Sequence, residues 1–239
     1  MNALLELDGV TAGYGGGDVL HDVNLSIEEG GITCVVGPNG AGKSTILRLV
    51  SGLIRPRLGG LRFRGQSITG LSPRQILQLG IVQVPQERSL FPTMTVWENV
   101  RMGAYTLSDR ALLERRMATV CDTFPIVAER RHERVAALSG GQQKIIEFAR
   151  ALMLDPKLLV LDEPSMGLDP KTHGVVFELI RDMNRSGRTI LLVEQNARSG
   201  LGLASHGVVL ESGRVRLEGT GASVLGNGEI GRLFLGAPV

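Results

Sequence analysis

The segment at residues 37–45 constrains this chain more than any other feature, because it reads GPNGAGKST and fits the pattern G-x-x-x-x-G-K-[ST]. It follows a short apolar run, ITCVV at residues 32–36, which predicts a strand buried on both faces. The segment precedes a predicted helix whose apolar stripe consists of Ile46, Leu49, Val50 and Leu53. A glycine-rich loop between a strand and a helix start offers backbone N–H groups and a positive dipole end to phosphate. We therefore predict an α/β fold with a phosphate-binding loop.

Each residue of this phosphate loop (residues 37–45) is a candidate nucleotide contact: Gly37, Pro38, Asn39, Gly40, Ala41, Gly42, Lys43, Ser44 and Thr45. Lys43 is expected to neutralise the β and γ phosphates, and the Ser44 hydroxyl is expected to bind Mg²⁺. The alternative is a glycine-rich turn that binds nothing. The flanking strand and helix favour the nucleotide loop.

Two carboxylates follow a second buried strand, LLVL at residues 158–161. Ligands of open α/β sheets bind at the carboxyl ends of the strands, where Asp162 and Glu163 stand. We expect Asp162 to hold hydrated Mg²⁺ and Glu163 to polarise the attacking water. The alternative is a pair of solvated acids at a strand end.

The remaining patterns predict how the chain is divided. Apolar and polar residues alternate at the start of the chain, which indicates antiparallel strands, and later strands alternate with helices, which indicates a mainly parallel sheet. Residues 91–155 show helical patterns only. We therefore predict one domain at residues 1–239, with an α/β core and an antiparallel β subdomain at 1–90 and 156–239 and an inserted helical subdomain at 91–155. A hairpin is expected about Ser212 and Gly213, followed by weakly helical last residues.

Charge and cysteine content exclude several classes of protein. The net charge is only +2, so no basic stripe marks a nucleic-acid partner. The two cysteines are too few for a disulfide framework, which favours a reducing compartment. No apolar run approaches a bilayer span, and no basic segment precedes an apolar one at the start. We expect a chain that is neither secreted nor membrane-spanning by itself.

The segment LSGGQ at residues 138–142 has two explanations. Ser139 and Gln142 form the pattern of a capping box ahead of an amphipathic helix. The glycines Gly140 and Gly141 each lower helix propensity by about 1 kcal/mol, which favours an added role such as close approach of a ligand. LSGGQ, placed between GPNGAGKST and LLVLDEP, resembles the ATP-binding subunits of ABC transporters, and the resemblance covers nearly the whole chain.

The resemblance implies the P-loop NTPase fold of the ABC type and an ATPase with ATP and Mg²⁺ as cofactors. In that family two ATP molecules lie between two subunits, so the phosphate loop of one copy faces four residues of the other, here Ser139, Gly140, Gly141 and Gln142. The resemblance also implies that Tyr14 stacks on adenine and that Gln86 links Mg²⁺ to the helical subdomain. Asp169 belongs by resemblance to a loop exchanged between subunits. Taken alone, Tyr14 would be a turn residue and Gln86 a loop amide.

One position departs from the family pattern. Most members carry a histidine just after the strand that reads TILLV here, and the aligned residue is Gln195. A glutamine amide can donate a hydrogen bond to the γ phosphate, but it cannot become cationic. Two roles stay open for Gln195, a catalytic contact with the γ phosphate and a structural amide.

The segments LLVEQNA, DEPSMGL and VLESGRVRLEGTG resemble one subgroup, the shorter ATPase of bacterial branched-chain amino-acid importers. This resemblance implies a second ABC ATPase subunit, identical or different, transmembrane permease subunits and, indirectly, a substrate-binding protein. It implies a peripheral location on the cytoplasmic face of the cell membrane and a chain that is soluble when isolated. The permease groove is expected near residues 86–100. The alternatives are an importer ATPase for urea or another amide and a soluble ABC ATPase without a transport role.

Overall fold

The phosphate loop connects strand β3 (Ile32–Val36) to helix α1 (Lys43–Val50) in a computed structural model that describes residues 3–87 and 89–228. All five residues of β3 are buried, as expected for a strand covered on both faces. The predicted order of strand, loop and helix is therefore confirmed.

β3 belongs to a six-stranded sheet. The other strands of this sheet are β6 (Ile81–Val84), β7 (Leu158–Asp162), β8 (Thr189–Glu194), β9 (His206–Glu211) and β10 (Arg214–Gly219). The strand order is β10-β9-β3-β8-β7-β6, and only β9 and β10 pair antiparallel. Because β8 pairs with both β3 and β7, the segments that follow these three strands emerge side by side at one edge of the sheet.

A second, antiparallel sheet contains the beginning of the described chain. Its strands are β1 (Ala3–Tyr14), β2 (Gly17–Glu28), β4 (Leu58–Phe63) and β5 (Gln66–Ser67). They lie in the order β2-β1-β4-β5. The predicted antiparallel start and the predicted mainly parallel core are both confirmed.

Residues 91–155 contain helices joined by turns and loops, with one isolated bridge between Thr95 and Arg134 and no strand. They contain α3 (Val96–Met102), α4 (Arg110–Thr123), α5 (Ile126–Glu129), a 3-10 turn (Val135–Ala137) and α6 (Gly140–Leu152). The other helices are α2 (Pro73–Gln78), α7 (Pro170–Arg185), α8 (Ala197–Leu203) and α9 (Gly221–Leu225). The helices at 91–155 share one hydrophobic cluster with the large sheet, and the division at residues 90 and 155 stays a prediction.

The apolar run of β7 is explained by two clusters on opposite faces of the large sheet. Leu159 and Leu161 join the cluster that contains α3 and α6. Leu158 and Val160 join the other cluster, together with Ile46 of α1. Successive side chains of a strand point to opposite faces, so a strand between two apolar layers needs an unbroken apolar run.

The predicted stripe of the first helix was wrong at its last member. Helix α1 ends at Val50, and Leu53 lies beyond it with 60% of its surface exposed. Gly52 adopts a φ of 70°, and a Cβ there would lie 2.7 Å from the carbonyl oxygen of Leu71. This left-handed glycine ends the helix before the apolar period does.

The predicted hairpin is confirmed, because β9 and β10 are joined by Ser212 and Gly213 with φ of 46° and 76°. Two successive positive φ values are typical of tight hairpin turns. The predicted weak helix near the end corresponds in part to α9, and residues 229–239 lie outside the described residues. Within residues 3–87 and 89–228, no helix combines the length and apolar character required to cross a membrane.

Candidate functional site

The backbone of the phosphate loop requires glycine at two positions. Gly42 has a φ of 106°, and a Cβ there would lie 2.6 Å from Leu20 Cδ2. At Gly37 a Cβ would lie 2.4 Å from the carbonyl oxygen of Leu210. Strands β2 and β9 therefore pack directly against the loop. Helix α1 begins at Lys43 without a side-chain cap, so its first N–H groups are available to an anion.

The turn between β9 and β10 also holds the phosphate loop. The N–H of Gly213 donates to the carbonyl oxygen of Ala41 at 2.9 Å, and the carbonyl oxygen of Gly213 accepts from the N–H of His21 at 2.8 Å. The loop is thus fixed between the antiparallel sheet and the hairpin.

Lys43 directs its ammonium group back across the loop. Its Nζ donates to the carbonyl oxygens of Gly37 and Pro38 at 2.8 and 3.2 Å, and the residue is buried. The same Nζ lies 3.6 Å from Glu163 Oε1. A cation held at this point by backbone acceptors can interact with a phosphate chain laid along the loop.

Asp162 ends β7 with an unused acceptor. Its Oδ1 is buried and has no hydrogen-bond partner among the residues the structure describes. Burial and then the charge of Glu163 raise the pKa of Asp162, and the Lys43 cation opposes them. Residues 3–87 and 89–228 contain no cluster of three or more His, Cys, Asp or Glu side chains suited to a metal. A single carboxylate with a free oxygen, as Asp162 provides, fits Mg²⁺. This ion takes one or two carboxylates and completes its shell with water, hydroxyl and phosphate oxygens.

Glu163 turns sharply toward the phosphate loop. Its φ of 43° is left-handed, a conformation that a non-glycine residue adopts at some energetic cost. Its N–H donates to the carbonyl oxygen of Val193 on β8 at 2.9 Å. Its carboxylate accepts from Gln86 Nε2 at 3.3 Å and faces Lys43. The structure therefore brings Lys43, Glu163 and Gln86 together at one edge of the sheet.

Gln86 has a second contact that the sequence did not predict. Its Nε2 lies 2.7 Å from the Sδ of Met166, whose side chain is exposed. Both residues line a pocket with Ser44, Thr45 and Glu163.

Tyr14 lies beside the start of α1. Its hydroxyl is 3.5 Å from Thr45 Oγ1, and the guanidinium of Arg48 lies 5.3 Å from the ring centroid. The ring is 42% exposed. The structure thus places an accessible aromatic face next to the phosphate loop, and adenine stacking stays a prediction.

The capping box at the start of α6 is confirmed. Ser139 Oγ accepts from the N–H of Gln142 at 3.3 Å, and Gln142 Oε1 accepts from the N–H of Ser139 at 3.0 Å. Gly141 has a packing reason within the chain, because a Cβ there would lie 2.2 Å from Cγ2 of Thr172 on α7. Close approach of another helix therefore explains this glycine without a ligand.

Asp169 caps α7. Its carboxylate accepts from the N–H groups of Lys171 and Thr172 and from the Thr172 hydroxyl, and these bonds, the Thr172 hydroxyl first, lower the pKa of Asp169. Neither Asp169 nor Ser139, Gly140, Gly141 and Gln142 line the described pocket that contains Lys43. These predicted nucleotide contacts therefore stay predictions.

Glu194 is the last residue of β8, and Gln195 follows it. Gln195 is exposed and lines the pocket that contains Lys43 and Glu163, so both of its predicted roles stay open. Glu194 is buried and accepts from the N–H of Ser165 at 3.3 Å. Burial raises the pKa of Glu194, and its bonds to Ser165 oppose that shift. The sequence analysis missed Glu194, although it ends the apolar run of β8, the strand that pairs with β3 beside the phosphate loop.

Comparisons with known proteins agree on one family. Residues 20–166 match the family model described as ABC transporter. The high-affinity branched-chain amino acid transport ATP-binding protein BraG of Pseudomonas aeruginosa is 40% identical over 98% of this chain and 100% of its own length. A solved ADP conformation of an ATP-binding cassette of an ABC transporter has a TM-score of 0.89 and 25% identity, covering 99% of this chain and 100% of that chain. A dimeric, post-hydrolysis structure of an ATP-binding cassette with ADP and Pi has a TM-score of 0.78 and 26% identity, covering 90% of this chain and 98% of that chain.

Proposed function

Because this chain belongs to the ABC transporter family of ATP-binding proteins and is an ATPase, we propose that it powers a membrane importer of branched-chain amino acids. The observation that carries the proposal is the meeting of Lys43, Glu163 and Gln86 beside the phosphate loop. The relative from Pseudomonas aeruginosa, matched from end to end, supports the choice of substrate. In this role the chain does not contact the amino acid.

The phosphate loop binds the triphosphate of ATP. Backbone N–H groups at the start of α1 face the phosphate oxygens, and Lys43 exchanges its backbone acceptors for the β and γ phosphates. Tyr14 stacks on the adenine ring, supported by its place next to Thr45.

Three residues are proposed to hold Mg²⁺: Ser44, Gln86 and Asp162. Asp162 Oδ1, buried and without a partner among the described residues, supports this assignment. Ser44 and Gln86 both line the pocket that contains Lys43 and Glu163. When bound, the ion neutralises part of the triphosphate charge.

Glu163 is proposed to orient and polarise the water that attacks the γ phosphate. Its backbone is fixed on β8, and its carboxylate is held between Lys43 and Gln86, so little motion is needed to reach a phosphate on the loop. Gln195 is proposed to donate its amide hydrogen to the γ phosphate from the same pocket.

Two ATPase subunits are proposed to share the nucleotide. The described pocket that contains Lys43 is not lined by Ser139, Gly140, Gly141, Gln142 or Asp169, and a second subunit would supply these residues across an interface. The dimeric structure of a related cassette supports this arrangement. Loss of the γ phosphate removes an anion from the helix start of α6, which loosens the pair.

We propose that a groove beside α3 and α6 receives a cytoplasmic segment of a permease subunit. This contact would hold the chain at the membrane. The groove has a volume of about 290 Å³. Its exposed apolar side chains are Phe91, Met102 and Tyr105. Exposed apolar side chains along a groove suit an inserted helix from a partner chain.

The test is co-reconstitution in liposomes of this chain with its permease subunits, its partner ATPase and the loaded binding protein. We expect ATP hydrolysis to rise when the binding protein carries leucine, isoleucine or valine, and not in the matched Glu163→Gln complex. Stimulation by urea or a simple amide alone would assign the chain to that alternative importer. Hydrolysis that no solute stimulates would refute an importer role.

A further inference from the structure

The segment that follows Gln86 is tied to helix α6 by charged side chains that the proposed reaction does not use. The N–H and hydroxyl of Ser89 both donate to Glu147 Oε1, at 2.9 and 3.1 Å. Arg150 donates to the carbonyl oxygen of Ser89 at 2.8 Å and to its hydroxyl oxygen. Two residues one turn apart on α6 thus partner every polar group of Ser89.

Lys144 and Glu147, the charged pair at the centre of the contacts to Ser89, are buried, whereas Ser89 and Arg150 are half-buried. Glu147 is 3% exposed, and Lys144 Nζ lies 2.6 Å from its Oε2. Burying charged groups carries a large desolvation penalty, and apolar residues of similar size would often hold a helix against a loop at least as well. Stability alone therefore explains these charged contacts poorly, whereas a fixed position for the loop explains why the N–H, the carbonyl oxygen and the hydroxyl of Ser89 are all paired.

The same segment is held at both of its ends. At one end the Gln86 amide contacts Glu163 beside the phosphate loop. At the other, Asn99 of α3 accepts from the N–H of Phe91 at 2.8 Å and donates to its carbonyl oxygen at 3.0 Å. Ser89 lies between these points, so a shift of Gln86 reaches α6 through Ser89.

The geometry points to Glu147 and Arg150 as positioning residues. They make helix α6 move together with the segment from Gln86 to Phe91 when ATP binds. This inference rests on the proposed function, since it assigns a mechanical role to side chains next to its ATP site. Neither Glu147 nor Arg150 lines the described pocket that contains Lys43. They act through Ser89.

The test compares amide hydrogen exchange with and without ATP and Mg²⁺ in the parent chain and in two variants. Ser89→Ala removes the hydroxyl and keeps the backbone bond, and Glu147→Gln keeps an acceptor oxygen and removes the charge. The readout is taken from the last two turns of α6, residues 146–152, because the first turn could contact nucleotide in a second copy. In the parent, ATP should slow exchange in both this part of α6 and the Gln86 segment.

In both variants the slowing of amide exchange that ATP causes in residues 146–152 of α6 should be about fivefold smaller than in the parent. This factor is at the lower end of the coupling usually measured between two sites. The Gln86 segment should still respond, and ATP affinity by calorimetry should stay within about twofold of the parent, because the nucleotide contacts are intact. The double variant should lose no more response than either single variant. Glu178→Gln, which makes the same change at an exposed pair with Arg181 on α7, is the matched control.

An α6 response that is absent from the parent, or fully kept in both variants, would overturn the inference. A parent chain that fails to bind ATP would instead refute the proposed function, and calorimetry separates these two results. Thermal unfolding of each variant confirms that it is folded.

Discussion

At the level of single residues, Glu194 couples the ionisation of a buried group to folding. Burial raises the pKa of Glu194 above its ordinary value of 4.5. The folded chain then holds this proton more tightly than the unfolded chain does. The contribution of Glu194 to the free energy of unfolding is therefore largest below pH 4.5 and falls as pH rises from there to the raised pKa.

The first prediction concerns Glu194→Gln. The amide oxygen can still accept from the N–H of Ser165, and no charge is buried, so the free energy of unfolding at neutral pH should equal or exceed that of the parent. Urea denaturation between pH 4.5 and neutral pH should show a smaller decline in the variant. Identical pH dependence in both proteins would mean that Glu194 ionises without a folding penalty.

The second prediction separates the two roles of Gln195. If its amide donates to the γ phosphate, Gln195→Ala should slow ATP hydrolysis about tenfold, the value of one hydrogen bond to a charged group. ADP has no γ phosphate, so its affinity by calorimetry should not change. Gln195→His, which restores the usual family residue, is the control. An unchanged rate in the alanine variant would favour a structural amide.

Some residues of the candidate site could be predicted from the sequence and others could not. The phosphate loop, Asp162 and Glu163 were predictable because residue type, spacing and strand order all indicate one chemistry. Glu194 was not, because a carboxylate after an apolar run is usually solvated at the strand end. Its burial depends on the N–H of Ser165 and on packing against α8, where a Cβ on Gly200 would lie 3.0 Å from Glu194 Cβ.

At the level of elements, α6 and α7 approach each other at Gly141. Its helical position would accept alanine readily, and alanine has the higher helix propensity. The limit is Cγ2 of Thr172, 2.2 Å from the place of the added Cβ. The packing of α6 against α7 therefore limits the size of the side chain at position 141, even without a bound nucleotide.

The third prediction is that Gly141→Ala lowers the free energy of unfolding by about 1 to 3 kcal/mol, the usual effect of overpacking. Adding Thr172→Ser removes the clashing methyl group and keeps the hydroxyl that bonds to Asp169, so it should restore most of the loss. Denaturant unfolding of the single and double variants measures both effects. Full stability in Gly141→Ala would show that α7 can shift away freely.

The ends of elements were harder to predict than their existence. The apolar period led to the prediction that the first helix reaches Leu53. Periodicity indicates which side chains would share a helix face, but it does not indicate where the backbone leaves the helix. The turn depends on Gly52 and its close approach to Leu71. The capping box at Ser139 was predictable because its two residues carry both hydrogen bonds themselves.

At the level of the whole molecule, the fourth prediction concerns association. Glu163→Gln should bind ATP, hydrolyse it at least about a hundredfold more slowly because the water loses its base, and accumulate as a nucleotide-bound pair with its partner ATPase subunit or with itself. Light scattering with ATP and Mg²⁺ measures the mass, and ADP is the control. Near-normal turnover would contradict the role of Glu163, and a persistent monomer with ATP and the partner subunit would contradict the shared site.

The hairpin turn that bonds to the phosphate loop has a consequence for synthesis on the ribosome. Ala41 is made early, but the strands beside β3 and the Gly213 amide that holds Ala41 are made much later. A nascent chain therefore carries GPNGAGKST for most of translation without a formed pocket around it. We therefore expect the nascent chain to acquire its ATP-binding pocket only after β8, β9 and the turn have left the exit tunnel.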